Sequence, residues 1–231
     1  MQNEVHDYTQ TGSAVSQQEI LLQKTYNLLG LSFLPCAAGA AVGAMFNPLA
    51  QLMGSGQWTG VIVFFAFFYG MCFLIEKNRY SNTGIGLLMV FTFGIGLLLG
   101  PILGMLGASE TGSKIVGLAA VLTAAVFFTM AALARRMNFN TNALGNFLTM
   151  GGVVLMVGVV ANLFLKLPVL ALTLSAGFVL FSSLVIMWQI RNILDGGEDS
   201  PVSAALTLFV SVYNIFLSLL RLLLAFAGGD E

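Results

Sequence analysis

The sequence predicts an all-α membrane protein with seven transmembrane helices. Of its 231 residues, 58% are hydrophobic and only 8% are charged, whereas a soluble domain carries roughly 25% charged residues. The apolar stretches are long and do not alternate with polar residues. They therefore match helices of about 20 residues that cross a bilayer, and not the roughly 10-residue strands of a β-barrel. The nine Lys and Arg residues are scattered, which excludes nucleic-acid binding, because that needs a basic face.

Seven apolar stretches account for the seven helices in chain order. Their approximate bounds are 25–46, 58–75, 84–106, 114–134, 144–165, 168–190 and 202–226. The shortest separator, Lys166-Leu167-Pro168, predicts a tight helical hairpin between the fifth and sixth helices. We expect residues 21–228 to form the bundle. Residues 1–20 are rich in Gln, Ser, Thr and acidic residues, which predicts a mobile N-terminal tail.

The distribution of basic residues predicts the orientation, because Lys and Arg near helix ends stay in the cytoplasm. Two basic residues, Lys114 and Lys166, lie on the side of the membrane opposite the N-terminus. Six lie on the same side as the N-terminus: Lys24, Lys77, Arg79, Arg135, Arg136 and Arg191. The sequence therefore predicts a cytoplasmic N-terminus and, with seven spans, a periplasmic C-terminus. Six or eight spans would return the C-terminus to the cytoplasm.

Glycines recur along one side of the third helix. Gly96, Gly100 and Gly104 stand at successive i+4 positions, and Pro101 follows the second of them. Small residues at this spacing let two membrane helices approach closely, which is one interpretation. The other interpretation is a hinge at Gly100-Pro101, because a proline inside a helix kinks it.

The seventh helix carries a polar stripe whose members recur every 3.6 residues on average. They are Ser203, Thr207, Ser211, Asn214, Ser218 and Arg221. Polar groups are costly against acyl chains, so we expect this helix to lie centrally, with its stripe facing inward. The stripe then either forms hydrogen bonds between helices or lines a water-filled or ligand-filled cavity. Arg221 either snorkels to the outer interface or meets the acidic residues of the C-terminus.

The inventory of reactive side chains argues against catalysis. The single histidine, His6, lies in the tail, and no Cys and His cluster has metal-ligand spacing. The acidic residues lie in the tail, in loops or at helix edges, as Glu76 does. We therefore expect no enzyme, no metal site and no cofactor. The polar residues placed deepest, among them Asn162 and Gln189, are neutral, which also argues against an ion pump.

Several motifs resemble those of a known family. They are Gly100-Pro101-Ile102-Leu103, the segment from Ala161 to Pro168, the segment from Arg191 to Glu198, and Tyr213-Asn214-Ile215-Phe216-Leu217-Ser218-Leu219-Leu220. With the seven-span plan, they make the chain similar to the Bax inhibitor-one (transmembrane Bax inhibitor motif) family over about residues 21–227. Within that family it resembles the bacterial YccA branch, whose members modulate the membrane protease FtsH.

The resemblance implies six helices around the seventh, a location in the bacterial inner membrane, and association with FtsH and with its partners HflK and HflC. It implies a regulator that inhibits the protease. The alternative is an ion channel or small-solute transporter lined by the polar stripe. Other family members conduct calcium through an acidic pair, but the corresponding positions here are Met187-Trp188-Gln189 and Ser211. Neither position carries an acid, so we do not expect a calcium leak of that kind.

Overall fold

The computed structural model describes residues 2–46 and 57–228, which form seven α-helices and, within these ranges, no strand. They are α1 (Gln2–Phe46), α2 (Gln57–Lys77), α3 (Asn82–Gly107), α4 (Glu110–Arg136), α5 (Thr141–Leu165), α6 (Pro168–Leu194) and α7 (Pro201–Ala227). Each predicted apolar stretch lies inside one of these helices. The all-α class predicted from the composition is confirmed.

Six stretches of the described chain are long and apolar enough to cross a membrane: Gln17–Met45 of α1, and α3 to α7. The second helix is not among them. It has 21 residues, or about 31 Å at 1.5 Å per residue, against a bilayer core of about 30 Å. A seventh span through α2 stays a prediction. The helix α1 begins at Gln2, well before the predicted stretch 25–46, and the mobility predicted for residues 1–20 is likewise untested.

Polar side chains and a proline mark where three of the helices begin. The Ser81 hydroxyl accepts a hydrogen bond from Gly84 N at 3.3 Å and caps α3. The Asn140 side chain accepts from Ala143 N at 3.0 Å and caps α5. Pro168 stands in the first turn of α6, where its missing N–H costs nothing and its fixed φ suits the helix. These caps satisfy backbone donors that helices leave free at their first turn.

The connector between α5 and α6 is Lys166 and Leu167 alone. Lys166 adopts the left-handed conformation at φ 51° and donates its backbone N–H to Asn162 O at 2.8 Å. The Asn162 side chain accepts from Leu167 N at 3.1 Å. Asn162 therefore satisfies both connector N–H groups, which fixes the turn.

The chain divides into two compact units. The first comprises Met1–Leu22, Lys114–Asp199 and Thr207–Glu231, and the second comprises Gln23–Ser113 and Ser200–Leu206. In the first unit, α5 packs along α6. A Cβ added to Gly145 would lie 3.1 Å from the Trp188 ring nitrogen, and one added to Gly158 would lie 2.6 Å from Leu174. Small residues on α5 thus admit large side chains of α6.

In the second unit, α3 packs against both α1 and α2. The backbones of α1 and α3 are in direct contact, because a Cβ on Gly96 would overlap the carbonyl oxygen of Cys36. A Cβ on Gly100 would lie 2.6 Å from Ala44 N, and one on Gly104 would lie 3.1 Å from the Ala44 side chain. The three glycines thus lie against α1 in this unit. A hinge at Gly100-Pro101 stays a prediction.

Candidate functional site

The polar stripe of α7 is the candidate site, and its three serines are buried. Ser203, Ser211 and Ser218 are at most 6% exposed. Thr207 and Asn214 are half-buried, whereas Arg221 near the end of the helix is exposed. The three serines are therefore covered by protein, whereas an inward-facing stripe on a central helix stays a prediction.

At its first turn, α7 is bonded to the end of α2 and to the turn that follows it. The Ser203 hydroxyl donates to Glu76 Oε1 at 2.8 Å, and Glu76 lies 3.8 Å from Arg79 as an ion pair. The Ser200 hydroxyl donates to Arg79 O at 2.9 Å and accepts from Ser203 N at 3.2 Å. Arg79 also stacks over the Tyr80 ring at 4.7 Å. Ser203 is thus a bridging residue between two helices.

Ser211 behaves differently, because its hydroxyl donates to Thr207 O of the same helix at 2.8 Å. The same back-bonding occurs on α6, where Ser175 donates to Ala171 O at 2.9 Å and Ser183 donates to Val179 O at 2.6 Å. A hydroxyl that bonds its own helix is satisfied in an apolar environment without a partner helix. No buried side-chain nitrogen or oxygen atom of the described residues lacks a hydrogen-bond partner.

The two other polar residues predicted inside the membrane lie near helix ends. Asn162 is in the last turn of α5 and bonds the connector described above. Gln189, 2% exposed, donates to Glu198 Oε2 at 3.3 Å. The structure therefore gives Asn162 a capping role and gives Gln189 a carboxylate partner in the segment between α6 and α7.

Sequence reasoning missed a hydrogen-bonded cluster at the end of α6, which we name the clasp: Asn138, Thr141, Trp188, Arg191 and Asp195. Arg191 Nε lies 2.9 Å from Asp195 Oδ1, and Arg191 Nη2 donates to Asn138 Oδ1 at 2.6 Å. Thr141 donates to Asp195 Oδ2 at 2.6 Å, and Trp188 Nε1 donates to Thr141 O at 3.0 Å. The i,i+4 spacing of Arg191 and Asp195 was the available signal, since such pairs face each other on a helix.

These contacts show which helix ends lie together within each unit. In the first unit, the clasp joins the α4–α5 loop to the end of α6, and a Cβ on Gly196 would lie 3.0 Å from Gln18 Nε2. In the second unit, Ser200 and Ser203 join the start of α7 to the end of α2.

The described residues also contain an apolar cavity of about 170 Å³ between α2 and α3. Phe64 and Phe67 of α2 and Leu97 and Leu98 of α3 are among the residues that line it. None of its lining residues belongs to the polar stripe. Within the described ranges, no three His, Cys, Asp or Glu side chains are grouped so that they could hold a metal ion.

Comparison with known proteins gives a family match over almost the whole chain. Residues 18–228 match the family model Bax1-I, described as inhibitor of apoptosis-promoting Bax1. An uncharacterized protein of Neisseria meningitidis serogroup A is 61% identical over the full length of both chains.

Two further relatives come from Escherichia coli and have functional or locational names. The protein named modulator of FtsH protease YccA, from strain K12, is 37% identical over 97% of this chain and 96% of its own length. The protein named inner membrane protein YccA, from strain CFT073, matches with the same identity and coverage. Both alignments include the polar stripe and the clasp, because they span nearly every residue.

Proposed function

The chain belongs to the Bax1-I family, and on that premise we propose that it is an integral inner-membrane regulator that binds and inhibits the membrane protease FtsH. The observation that carries the proposal is the 37% identity, over 97% of the chain, to a relative named as a modulator of that protease. The role is regulatory and not catalytic, in keeping with the name of that relative. HflK and HflC belong to the same proposal as partners that accompany the protease.

The proposed topology is seven spans with a cytoplasmic N-terminus. Basic residues near helix ends favour the cytoplasmic side, and the clasp and the Glu76–Ser203 bond each lie among such residues. A second relative carries the name inner membrane protein, which supports the same membrane for this chain. In this arrangement α2 supplies the seventh span, and α7 is central with its serines turned inward.

The proposed mechanism assigns the N-terminal residues 1–20 to the protease. A cytoplasmic segment rich in polar residues is accessible to an ATPase that works on that side. The helical bundle that follows would then resist extraction, so the chain occupies the protease and slows its handling of membrane substrates. Helix α1 is where such pulling would first act, since it is continuous from Gln2 to Phe46.

Capture of the protease tests the partner. The full-length protein with a C-terminal tag is purified from its own membranes in mild detergent, and co-purifying proteins are identified by mass spectrometry. We expect FtsH, together with HflK or HflC. Recovery of none of them, under conditions that keep the protease complex intact, contradicts the proposal.

Deletion of residues 2–18 tests the role of the tail. The shortened chain should be degraded more slowly than the full chain and should no longer lengthen the half-life of an FtsH substrate in cells. A matched variant replaces the same residues with an equally long Gly- and Ser-rich segment and should retain inhibition, because length and accessibility are preserved. If turnover and inhibition are both unchanged by the deletion, the tail is not the segment engaged.

A further inference from the structure

Two arginines at the end of α4 form an exposed basic surface. Arg135 and Arg136 are the last residues of the helix, and both are exposed. No other residue of the described ranges forms an ion pair or hydrogen bond with either guanidinium. The next residue, Met137, is 50% exposed. Positive charge and an exposed apolar side chain therefore adjoin at the end of a helix apolar enough to span the membrane.

The acidic residue of the clasp, Asp195, bonds other members of the clasp and neither Arg135 nor Arg136. Asp195 is the acid held beside the loop that follows Arg136, and both of its carboxylate oxygens are occupied. Oδ1 pairs with Arg191 at 2.9 Å, and Oδ2 accepts from Thr141 at 2.6 Å. Arg191 also reaches Asn138 Oδ1 at 2.6 Å and so holds the loop itself. The Asp195 carboxylate thus positions the loop and, among the described residues, leaves the charge of Arg135 and Arg136 unpaired.

We propose that Arg135, Arg136 and Met137 bind the headgroup of an anionic phospholipid. Arginine at a membrane–water boundary pairs with lipid phosphate, and the exposed methionine extends the contact to the acyl region. Charge complementarity selects an anionic lipid over a zwitterionic one, since two guanidiniums that have no carboxylate partner among the described residues favour a net negative headgroup. The inference depends only on where α4 ends, so it is independent of the proposed protease partner.

The test uses Trp188 as a reporter, because its ring nitrogen bonds Thr141 within the clasp. The other tryptophan, Trp58, is replaced by Phe, and the full-length protein is reconstituted in phosphatidylcholine vesicles. Two samples are compared, one containing brominated phosphatidylglycerol and the other containing brominated phosphatidylcholine. In both lipids the bromine is on the acyl chains, and the two samples contain the same mole fraction of brominated lipid. We expect stronger fluorescence quenching by the brominated anionic lipid, and a preference that decreases as salt is raised from about 0.01 to 0.5 M.

The variant Arg135→Gln/Arg136→Gln should lose most of that preference, by about fivefold in relative affinity per arginine. The matched control is Lys114→Gln, which removes one exposed cation near the opposite end of α4 and should leave the preference unchanged. Equal quenching by both lipids in the parent protein overturns the inference. So does a preference that persists in the double variant while unfolding temperature and Trp188 emission show that the variant is folded.

Discussion

Arg191 bonds three groups at once: the Asp195 carboxylate, the Asn138 amide oxygen and the carbonyl oxygen of Met137. Only a planar guanidinium presents donors in a fork that can reach all three. Its side chain is 19% exposed, so solvent screens these bonds only in part. The clasp therefore depends on the shape of this residue as well as on its charge.

We predict that Arg191→Lys lowers the free energy of unfolding by about 1 kcal/mol, because a single ammonium cannot replace the fork. Chemical denaturation of the purified protein in detergent measures the change. The matched variant Asn138→Asp keeps an acceptor oxygen and adds a negative charge opposite Arg191, so it should be at least as stable as the parent. A lysine variant of parental stability would show that the guanidinium fork contributes nothing beyond its charge.

Variants of the polar stripe distinguish the proposed regulator from the alternative of an ion channel. Its hydroxyl bonds Thr207 O of its own helix, so we predict that Ser211→Ala changes stability by less than about 0.5 kcal/mol and leaves capture of FtsH intact. Ion flux in liposomes is measured for the parent, for Ser211→Ala and for Asn214→Leu. Flux in the parent that disappears in both variants would favour a conducting path along the stripe and would count against the regulator.

At the scale of whole helices, the contact between α1 and α3 is made by backbone atoms. Cβ atoms at Gly96 and Gly100 would collide with the backbone of α1, whereas Gly86 of the same helix has no atom within 4 Å of its added Cβ. Without a hydrophobic driving force inside the lipid, such close approach is what holds two helices together. The stability of the contact between α1 and α3 is therefore sensitive to the addition of a single methyl group.

We predict that Gly96→Ala destabilises the protein by about 1–3 kcal/mol, because the added methyl group forces α1 and α3 apart. Gly86→Ala is the control in the same helix and should be neutral or stabilising by up to about 1 kcal/mol. Thermal unfolding in detergent compares the two variants. Equal stability of the two variants would mean that α1 and α3 move apart without a cost in free energy and that their contact is not tightly packed.

For the molecule as a whole, the number of spans decides where the C-terminus lies. We predict that alkaline phosphatase fused after Ala227 is active, as it is only in the periplasm, and that a fluorescent protein fused there is dark. A fusion in the α2–α3 turn, after Arg79, should give the opposite result. If, with the N-terminus in the cytoplasm, the fusion after Arg79 reports the periplasm and the fusion after Ala227 reports the cytoplasm, α2 does not cross the membrane and the protein has six spans.

The seven helices could be predicted from the sequence because long apolar stretches with helical caps leave little choice. The sequence also predicts that the i+4 glycines of α3 share one face of the helix, because this follows from their spacing wherever the partner helix lies. The hydrogen bond between Ser203 and Glu76 could not be predicted from the sequence, because the two residues are 127 positions apart. The periodicity of one helix does not identify the helix that packs against it. The same holds for Trp188 and Thr141, which are 47 positions apart.

The two-residue connector between α5 and α6 constrains how the protein is made. Each helix is about 38 Å long or more, at 1.5 Å per residue, while Lys166 and Leu167 alone join them and Asn162 bonds both of their N–H groups. Neither helix can reach its final depth while the other stays in water. The pair therefore has to enter the bilayer together during biogenesis, as a hairpin with Lys166 at its tip.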